Sequence, residues 1–270
     1  MFKGLFLEKG LDGMAQTEYI PLDTPLNTYI DHTLLNPQAT HEDFQTFLDE
    51  AIKYKFASVC VVPYLALTIK EALKDYPEIK ICTVVGFPQG NIPAIVKAQE
   101  AYYFAKNGID EIDFVINYSL LKSGRYDDVG AELKAIDQVC TDHGTVSKCI
   151  VETCYLTDDE KKFMYEALWQ NTNIDYIKTS TGYGPEGAQL VDVLNWNTRR
   201  NQEIIKQQSD LLILHEAPTF RTKGPLKIKA AGGIRDLETA LKFIACGADR
   251  LGMSASVKIM EEYNNGRPTD

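Results

Sequence analysis

Tyr176-Ile177-Lys178-Thr179-Ser180-Thr181-Gly182-Tyr183-Gly184 ends a short apolar run on a lysine, then passes through a Thr/Ser/Gly-rich turn before the next helical pattern begins. Burying an ammonium is costly unless it is paired or neutral, so a lysine in such a run calls for a reason. The ordinary reason is a side chain that snorkels from the end of a strand. The same strand–turn–helix unit recurs along the chain, and the recurrence decides the fold.

Taken in order, the apolar runs predict a first strand over Tyr29-Ile30-Asp31-His32-Thr33-Leu34, turning at Asn36-Pro37. Thr40 then caps a helix, with Asp43 at the capping-box position and Phe44, Phe47, Leu48 and Ala51 on one face. A second strand over 57–62 stops at Pro63, and a third over 80–85 opens into Gly86-Phe87-Pro88-Gln89-Gly90. A helix follows over 92–107, closed by Gly108, and then strand four over 111–117. A helix over 127–142 leads to strand five over 146–151, and a helix over 158–170 to strand six over 174–178. Strand seven covers 228–231, Asp236 caps a helix reaching Cys246, strand eight covers 249–252, and a last helix reaches Tyr263.

Alternating strand and helix patterns predict parallel strands with crossover helices. The strands are nearly continuous in apolar residues, as fits a sheet covered on both faces. Eight such units are most economically closed into a TIM (β/α)8 barrel, a single α/β domain over residues 28–263 with an N-terminal extension (1–27) and a tail (264–270). An open doubly wound sheet is the alternative, but no GxGxxG follows the first strand. One interval, Asn195 to Leu226 between helix six and strand seven, exceeds a simple connection. It holds Arg199, Arg200, Lys206, Gln207 and Gln208 and then Leu211-Leu212-Ile213-Leu214, and it reads as an extended helix plus a surface segment. Preceding a strand, it falls on the face of the barrel away from the chemistry, where a subunit contact or a variable loop would both fit.

Composition narrows the function classes. A net charge of −10 and a pI near 5 argue against general nucleic-acid or anionic-membrane binding. The six cysteines, Cys60, Cys82, Cys140, Cys149, Cys154 and Cys246, contain no CxxC pair and read as reduced residues of a cytoplasmic protein. No run approaches transmembrane length. Glu8, Lys9 and Asp12 interrupt the apolar positions a signal peptide would need, and Met14 is a second possible start.

Charged residues at the predicted strand ends are few: Asp31, Asp113, Lys148, Lys178 and Lys229. In a barrel they would gather at the rim that carries the chemistry. A structural ion-pair network would produce the same five residues. Clustered cations beside carboxylates are also what imine chemistry uses. A lysine is nucleophilic only when neutral, and a nearby ammonium, here Lys229 beside Lys178, would push its pKa down. The resulting imine is an electron sink, and a carboxylate or its water moves the protons. Gly232-Gly233-Ile234-Arg235 after strand seven and Gly252-Met253-Ser254-Ala255-Ser256 after strand eight add a phosphate-binding expectation, since loops after these two strands and helix N-termini hold anions in this architecture. Residues alone thus reach a barrel enzyme with a Schiff-base lysine and a phosphorylated small molecule.

At these residues the sequence resembles the deoxyribose-phosphate aldolase family of class I aldolases. The likeness runs from about residue 28 to 262. It rests on Ile30-Asp31-His32-Thr33-Leu34-Leu35, Val59-Cys60-Val61, Val85-Gly86-Phe87-Pro88, Glu111 to Asn117 and Leu121-Lys122-Ser123-Gly124. It continues through Lys148 to Thr153, Ile177-Lys178-Thr179-Ser180-Thr181-Gly182, Lys229-Ala230-Ala231-Gly232-Gly233-Ile234-Arg235 and Arg250-Leu251-Gly252. The resemblance implies reversible cleavage of 2-deoxy-D-ribose 5-phosphate to D-glyceraldehyde 3-phosphate and acetaldehyde, in deoxyribonucleotide catabolism, with no metal or organic cofactor. It implies Lys178 as the imine-forming residue, Lys229 as the second lysine and Asp113 as the group working with a water in proton transfer. Asp31 and Lys148 become supporting members of the polar network, and Cys60 lies near the substrate pocket. Gly182, Gly232, Gly233 and Ser254 become phosphate contacts. A cytoplasmic homodimer, with no nucleic-acid or membrane partner, is expected.

The chain departs from the family pattern at Ala231, where serine is frequent, and over Met253-Ser254-Ala255-Ser256, where Thr-Ser-Ser-Gly is commoner. The tail Arg267-Pro268-Thr269-Asp270 lacks the terminal tyrosine of some members. Two rival readings remain: another Schiff-base aldolase of sugar phosphates or keto acids, and a sugar-phosphate-binding protein without catalysis.

Overall fold

Eight parallel strands pair in sequence order and close on themselves: β1 (Ile30–Leu34), β2 (Ser58–Val61), β3 (Lys80–Val85), β4 (Glu111–Val115), β5 (Val146–Ile150), β6 (Tyr176–Lys178), β7 (Lys227–Ala231) and β8 (Arg250–Met253). The computed structural model describes residues 22, 24–214 and 223–266, with side chains up to residue 208 and again from 223. Most of the expected N-terminal extension, the side chains of Leu211-Leu212-Ile213-Leu214 and the tail from Arg267 lie outside these residues.

The helices are α1 (His41–Tyr54), α2 (Ala66–Ala72), α3 (Ala94–Lys106), α4 (Tyr118–Lys122), α5 (Tyr126–His143), α6 (Asp158–Asn171), α7 (Leu190–Leu214), α8 (Leu237–Ala245) and α9 (Ser256–Asn265). Their ends follow the chemistry of the termini. The expected capping box holds at α1, where Thr40 N–H donates to Asp43 Oδ2 at 2.6 Å and Asp43 N–H to Thr40 Oγ1 at 3.2 Å. Thr157 and Glu160 make a second box at α6. Asp236 caps α8 as expected. α3 starts at Ala94 rather than Ile92, because Pro93 keeps the residue before it out of the helical region. α2 and α4, at seven and five residues, are too short for apolar periodicity to identify.

The long interval before β7 is explained mainly by α7, 25 residues that run without a break through Asn195 to Leu214. Ahead of β1, a 3-10 turn over Leu26–Tyr29 buries Leu26 completely, so the packed body begins slightly before residue 28.

Outward-facing strand residues such as Ile112, Phe114, Ile177, Ile228 and Leu251 pack with helix residues such as Phe104, Leu133, Leu168 and Phe243 in one continuous apolar shell. Burying each such side chain contributes about 1.5–3 kcal/mol. The shell holds the barrel closed and leaves the inward faces of the strands free to carry other side chains.

Candidate active site

Side chains alternate across a strand, so the pairing register fixes which residues face inward together. Ser58, Glu111, Tyr176 and Arg250 from the even strands form the lowest layer. Above them lie Asp31, Cys82, Lys148 and Lys229 from the odd strands, then Cys60, Asp113, Lys178 and Gly252 from the even ones. Three layers of four from alternate strands are usual for this barrel, but normally Val, Ile and Leu fill them. Here most of the places are ionisable.

Asp113 is the hub. Its Oδ2 accepts from Lys178 Nζ at 2.6 Å and Lys229 Nζ at 2.7 Å, and its Oδ1 from Lys148 Nζ at 2.8 Å and Cys82 Sγ at 3.1 Å. Lys229 also pairs with Asp31 Oδ2 at 2.5 Å, and Lys148 with Glu111 Oε2 at 2.6 Å. Below, Arg250 donates to both Asp31 and Glu111, and Ser58 Oγ donates to Asp31 Oδ1 at 2.7 Å. The network therefore sets four cations (Lys148, Lys178, Lys229, Arg250) against three carboxylates (Asp31, Glu111, Asp113). Lys148 and Lys229 each face at least two carboxylates, whereas among the described residues Lys178 pairs with Asp113 alone. Lys178 is thus the lysine of this network with the fewest carboxylate partners.

Burial works against every charge here, and the partners prevail. Burial would raise the Asp113 carboxyl, but Lys148, Lys178 and Lys229 hold it well below the usual carboxylate range. Asp31 is depressed likewise, with Arg250, Lys229 and Lys148 outweighing burial. For Lys229, burial favours the neutral amine, but Asp113 and Asp31 hold it above the ordinary lysine range. Lys148 is raised for the same reason, chiefly by Asp113. Lys229 is thus a fixed ammonium beside Lys178.

The five charged residues do meet, but not around a rim. Asp31, Lys148 and Lys229 lie in the middle layer with no exposed surface, and only Lys178, at 3%, reaches toward the mouth. The expectation of rim placement fails because the end of an apolar run marks where a strand ends, whereas depth in a tilted barrel depends on register. Cys60 lies in the top layer beside Cys82, beneath Leu35 and Phe87. Leu35, Val62, Val84, Phe87, Pro88 and Tyr183 line a mouth cavity of about 250 Å³ above it. Cys60, Cys82 and Asp113 bring potential metal-ligating atoms within 4.8 Å of one another. The ammonium groups on Asp113 make that cluster a poor host for a cation.

Beyond Lys178 the chain forms an open cradle. Gly182 and Gly232 adopt positive φ of 87° and 84°, and an added Cβ on Gly232 would come within 3.1 Å of Gly187 Cα and 3.5 Å of Gly182 Cα. Only glycine permits this approach of the loops after β6 and β7. Ser254 is exposed on the turn between β8 and α9. Ser256 is buried, and its Oγ donates to Met253 O, so of the two serines in this turn only Ser254 faces solvent.

The DeoC/LacD family aldolase profile matches residues 26–261, nearly all of the described barrel. The deoxyribose-phosphate aldolase of Streptococcus suis (strain 98HAH33) is 43% identical over 247 residues, covering 91% of this chain and 98% of its own. That of Thermococcus gammatolerans is 41% identical over 239 residues, covering 88% and 96%. Among solved structures, the tetrameric deoxyribose phosphate aldolase of Aeropyrum pernix superposes with a TM-score of 0.74 at 29% identity, over 88% of this chain and 91% of that one. The chain belongs to the DeoC/LacD aldolase family.

In this DeoC/LacD aldolase the structure adds residues to which sequence reasoning gave no role. Glu111 and Arg250 stand at strand starts, where charges are unremarkable, yet both reach inward. Cys82 is hidden among apolar neighbours by its own apolar character. Glu152 follows β5 in the left-handed region (φ 55°), a strained place for a non-glycine residue. Its buried carboxylate accepts from the backbone N–H and the hydroxyl of Thr181, fixing the turn after Lys178. Lys97 of α3 is fully buried and donates to Gly90 O (3.0 Å), Val115 O (2.6 Å) and Glu132 Oε2 (2.8 Å). Glu132 Oε1 accepts from Asn117 N–H at 2.9 Å. The pair ties the loop after β3 to the end of β4, two residues beyond Asp113. A lysine on the same helix face as Ala101 and Phe104 is the signal that could have found it.

Proposed function

We propose that the protein cleaves 2-deoxy-D-ribose 5-phosphate reversibly to D-glyceraldehyde 3-phosphate and acetaldehyde, through an imine on Lys178. The observation that carries this reading is the Lys178 amine, 2.6 Å from Asp113 Oδ2, at the top of a network one positive charge in excess. Neutral Lys178 adds to the C1 aldehyde of the open-chain sugar, and loss of water gives the iminium. The C3 hydroxyl gives up its proton, the C2–C3 bond breaks, and its electron pair enters the iminium to leave an enamine on Lys178. Glyceraldehyde 3-phosphate departs, C2 takes a proton, and water releases acetaldehyde and the free amine.

In this scheme Asp113, through a water, carries the protons, and Lys229 stays charged and works against a second ammonium on the same carboxylate oxygen. Asp31 and Lys148 hold Lys229 and Asp113 in place, and Cys60 borders the C1–C2 end of the substrate. Gly182, Gly232, Gly233 and Ser254 receive the 5-phosphate through backbone N–H groups and one hydroxyl. Ala231 and Ala255 bring no hydroxyl there, which would make the phosphate grip weaker. The scheme uses no metal or organic cofactor. A place in deoxyribonucleotide catabolism, a cytoplasmic location and assembly as a dimer or larger belong to the same reading.

The test is borohydride trapping with deoxyribose 5-phosphate, followed by peptide mapping. A reduced adduct on Lys178 is expected, absent in Lys178→Ala, with turnover of that variant lower by on the order of 10³-fold or more. Folded protein that forms no adduct would return the reading to a binding protein. Faster cleavage of fructose 1,6-bisphosphate than of the deoxy sugar would point to another sugar-phosphate aldolase.

A further inference from the structure

We propose that Cys60 and Cys82 are an oxidisable dithiol, which a hydroperoxide entering by the barrel mouth converts to a disulfide that reversibly stops turnover. The two are register partners on β2 and β3, so their side chains share the inward face. Neighbouring strands lie about 4.8 Å apart, inside the Cα separation of roughly 4.4–6.8 Å that a disulfide spans. Both sulfurs lie within 4.8 Å of each other and of an Asp113 oxygen.

Access and reactivity come from the same surroundings. The thiols pack with Val84, Leu35 and Phe87, and these three residues also line the mouth cavity, so a single layer of side chains separates the sulfurs from it. A thiolate is the reacting form. The adjoining Cys82 sulfur, with help from Lys229 and Lys178, draws the Cys60 thiol down. Burial pushes Cys82 up, so it keeps its proton until it is needed. Cys140 and Cys149, by contrast, are buried elsewhere and pushed up, and Cys154 and Cys246 are only partly covered.

Cys60 sulfur attacks one peroxide oxygen, forming S–O and breaking O–O, and the departing oxygen takes a proton to leave as alcohol, or as water from hydrogen peroxide. Cys82 sulfur then attacks Cys60 sulfur, S–S forms, and the hydroxide that leaves takes the Cys82 proton as water. Two thiols are oxidised and one peroxide is reduced. The cost to function is direct: Asp113 loses the Cys82 donor that now helps hold its Oδ1 opposite Lys148.

The experiment treats the full chain with hydrogen peroxide, alkylates it under denaturing conditions, maps the peptides and follows turnover in parallel. A Cys60–Cys82 linked peptide lighter by two hydrogens is expected, with turnover falling as the linked fraction rises and returning with dithiothreitol. Cys82→Ser, compared with its own untreated activity, loses the linked peptide and no longer recovers. Six alkylated cysteines after treatment, inactivation that follows oxidation of Cys154 or Cys246, or a sulfinic Cys60 without a linkage would each overturn the proposal. Peptide mapping does not depend on the substrate reading. A chain that forms the linkage but does not cleave deoxyribose 5-phosphate would refute the proposed function and the control of turnover, and leave only the oxidisable dithiol standing.

Discussion

The two faces of β4 do opposite work. Ile112 and Phe114 point outward into a shell made almost wholly of hydrocarbon, while Glu111 and Asp113, one residue away on either side, point inward among four cations. Transfer of apolar surface out of water stabilises the first arrangement without any demand on geometry. The second is a set of buried charges, whose desolvation can exceed their mutual attraction and which well-packed apolar residues could often replace at no loss. The barrel therefore stands on its outer face, and it carries the costly inner face because that face does the chemistry. The inner network is also brittle where a member is shared, since removing Asp113 strands the lysines that meet on it.

The largest effect is expected where both roles meet. Asp113→Ala leaves three ammonium groups facing one another, so turnover should vanish and stability fall by about 3–5 kcal/mol, as for other buried pairs broken on one side. Urea unfolding against Lys178→Ala checks this. Lys178→Ala should lose activity at a far smaller cost in stability, because Asp113 keeps Lys148 and Lys229; equal destabilisation of the two variants would remove Asp113 as the hub.

Lys97→Met should cost a similar 3–5 kcal/mol, since it strands Glu132 and leaves Gly90 O and Val115 O without their donor. Burial already pushes the Lys97 amine below its ordinary range and the Glu132 carboxyl above its own. Adding Glu132→Leu should recover part of the loss, and a double variant no better than the single would show that the backbone contacts, not the ion pair, dominate. Phe114→Ala probes the other face. It should cost about 3–5 kcal/mol through an unfilled cavity while the folded fraction keeps its kcat. A kcat that falls with stability would mean that the two faces are not independent.

This division explains what the sequence disclosed. The outer face writes itself as apolar runs and helical stripes, so the order of eight strands and the caps at Thr40 and Asp236 were legible. Asp31, Asp113, Lys148, Lys178 and Lys229 were legible because each interrupts such a run. Their depth was not, because it depends on which residues of neighbouring strands pair. Glu111 and Arg250 stand at strand starts, where a charge costs nothing in sequence terms. Glu152 acts through one turn it clamps, and Lys97 and Glu132 meet only when α3 and α5 pack together.

The smallest effect concerns His32, the outward neighbour of Asp31. Its ring stacks on Phe47 at 4.2 Å and lies 4.8 Å from Phe56, with Nε2 3.2 Å from Glu50 Oε2. Despite that carboxylate, burial lowers its pKa to about 3, and burial also raises Glu50, which weakens it as a counter-charge. His32 is therefore neutral when folded, whereas the unfolded chain takes up a proton near pH 6.5. The unfolded state then binds more protons between roughly pH 6.5 and 3, so stability is fully present above that window and falls as pH drops through it. Asp31 and Asp113, depressed by their cations, add their losses only below the ordinary carboxylate range. The outer shell should thus weaken first in mild acid and the inner network later. Between pH 7.5 and 5 the His32 contribution is at most about 2 kcal/mol, and it should disappear in His32→Leu as the difference in urea midpoints at the two pH values. An unchanged difference in that variant would place the acid-sensitive step in the charged interior instead.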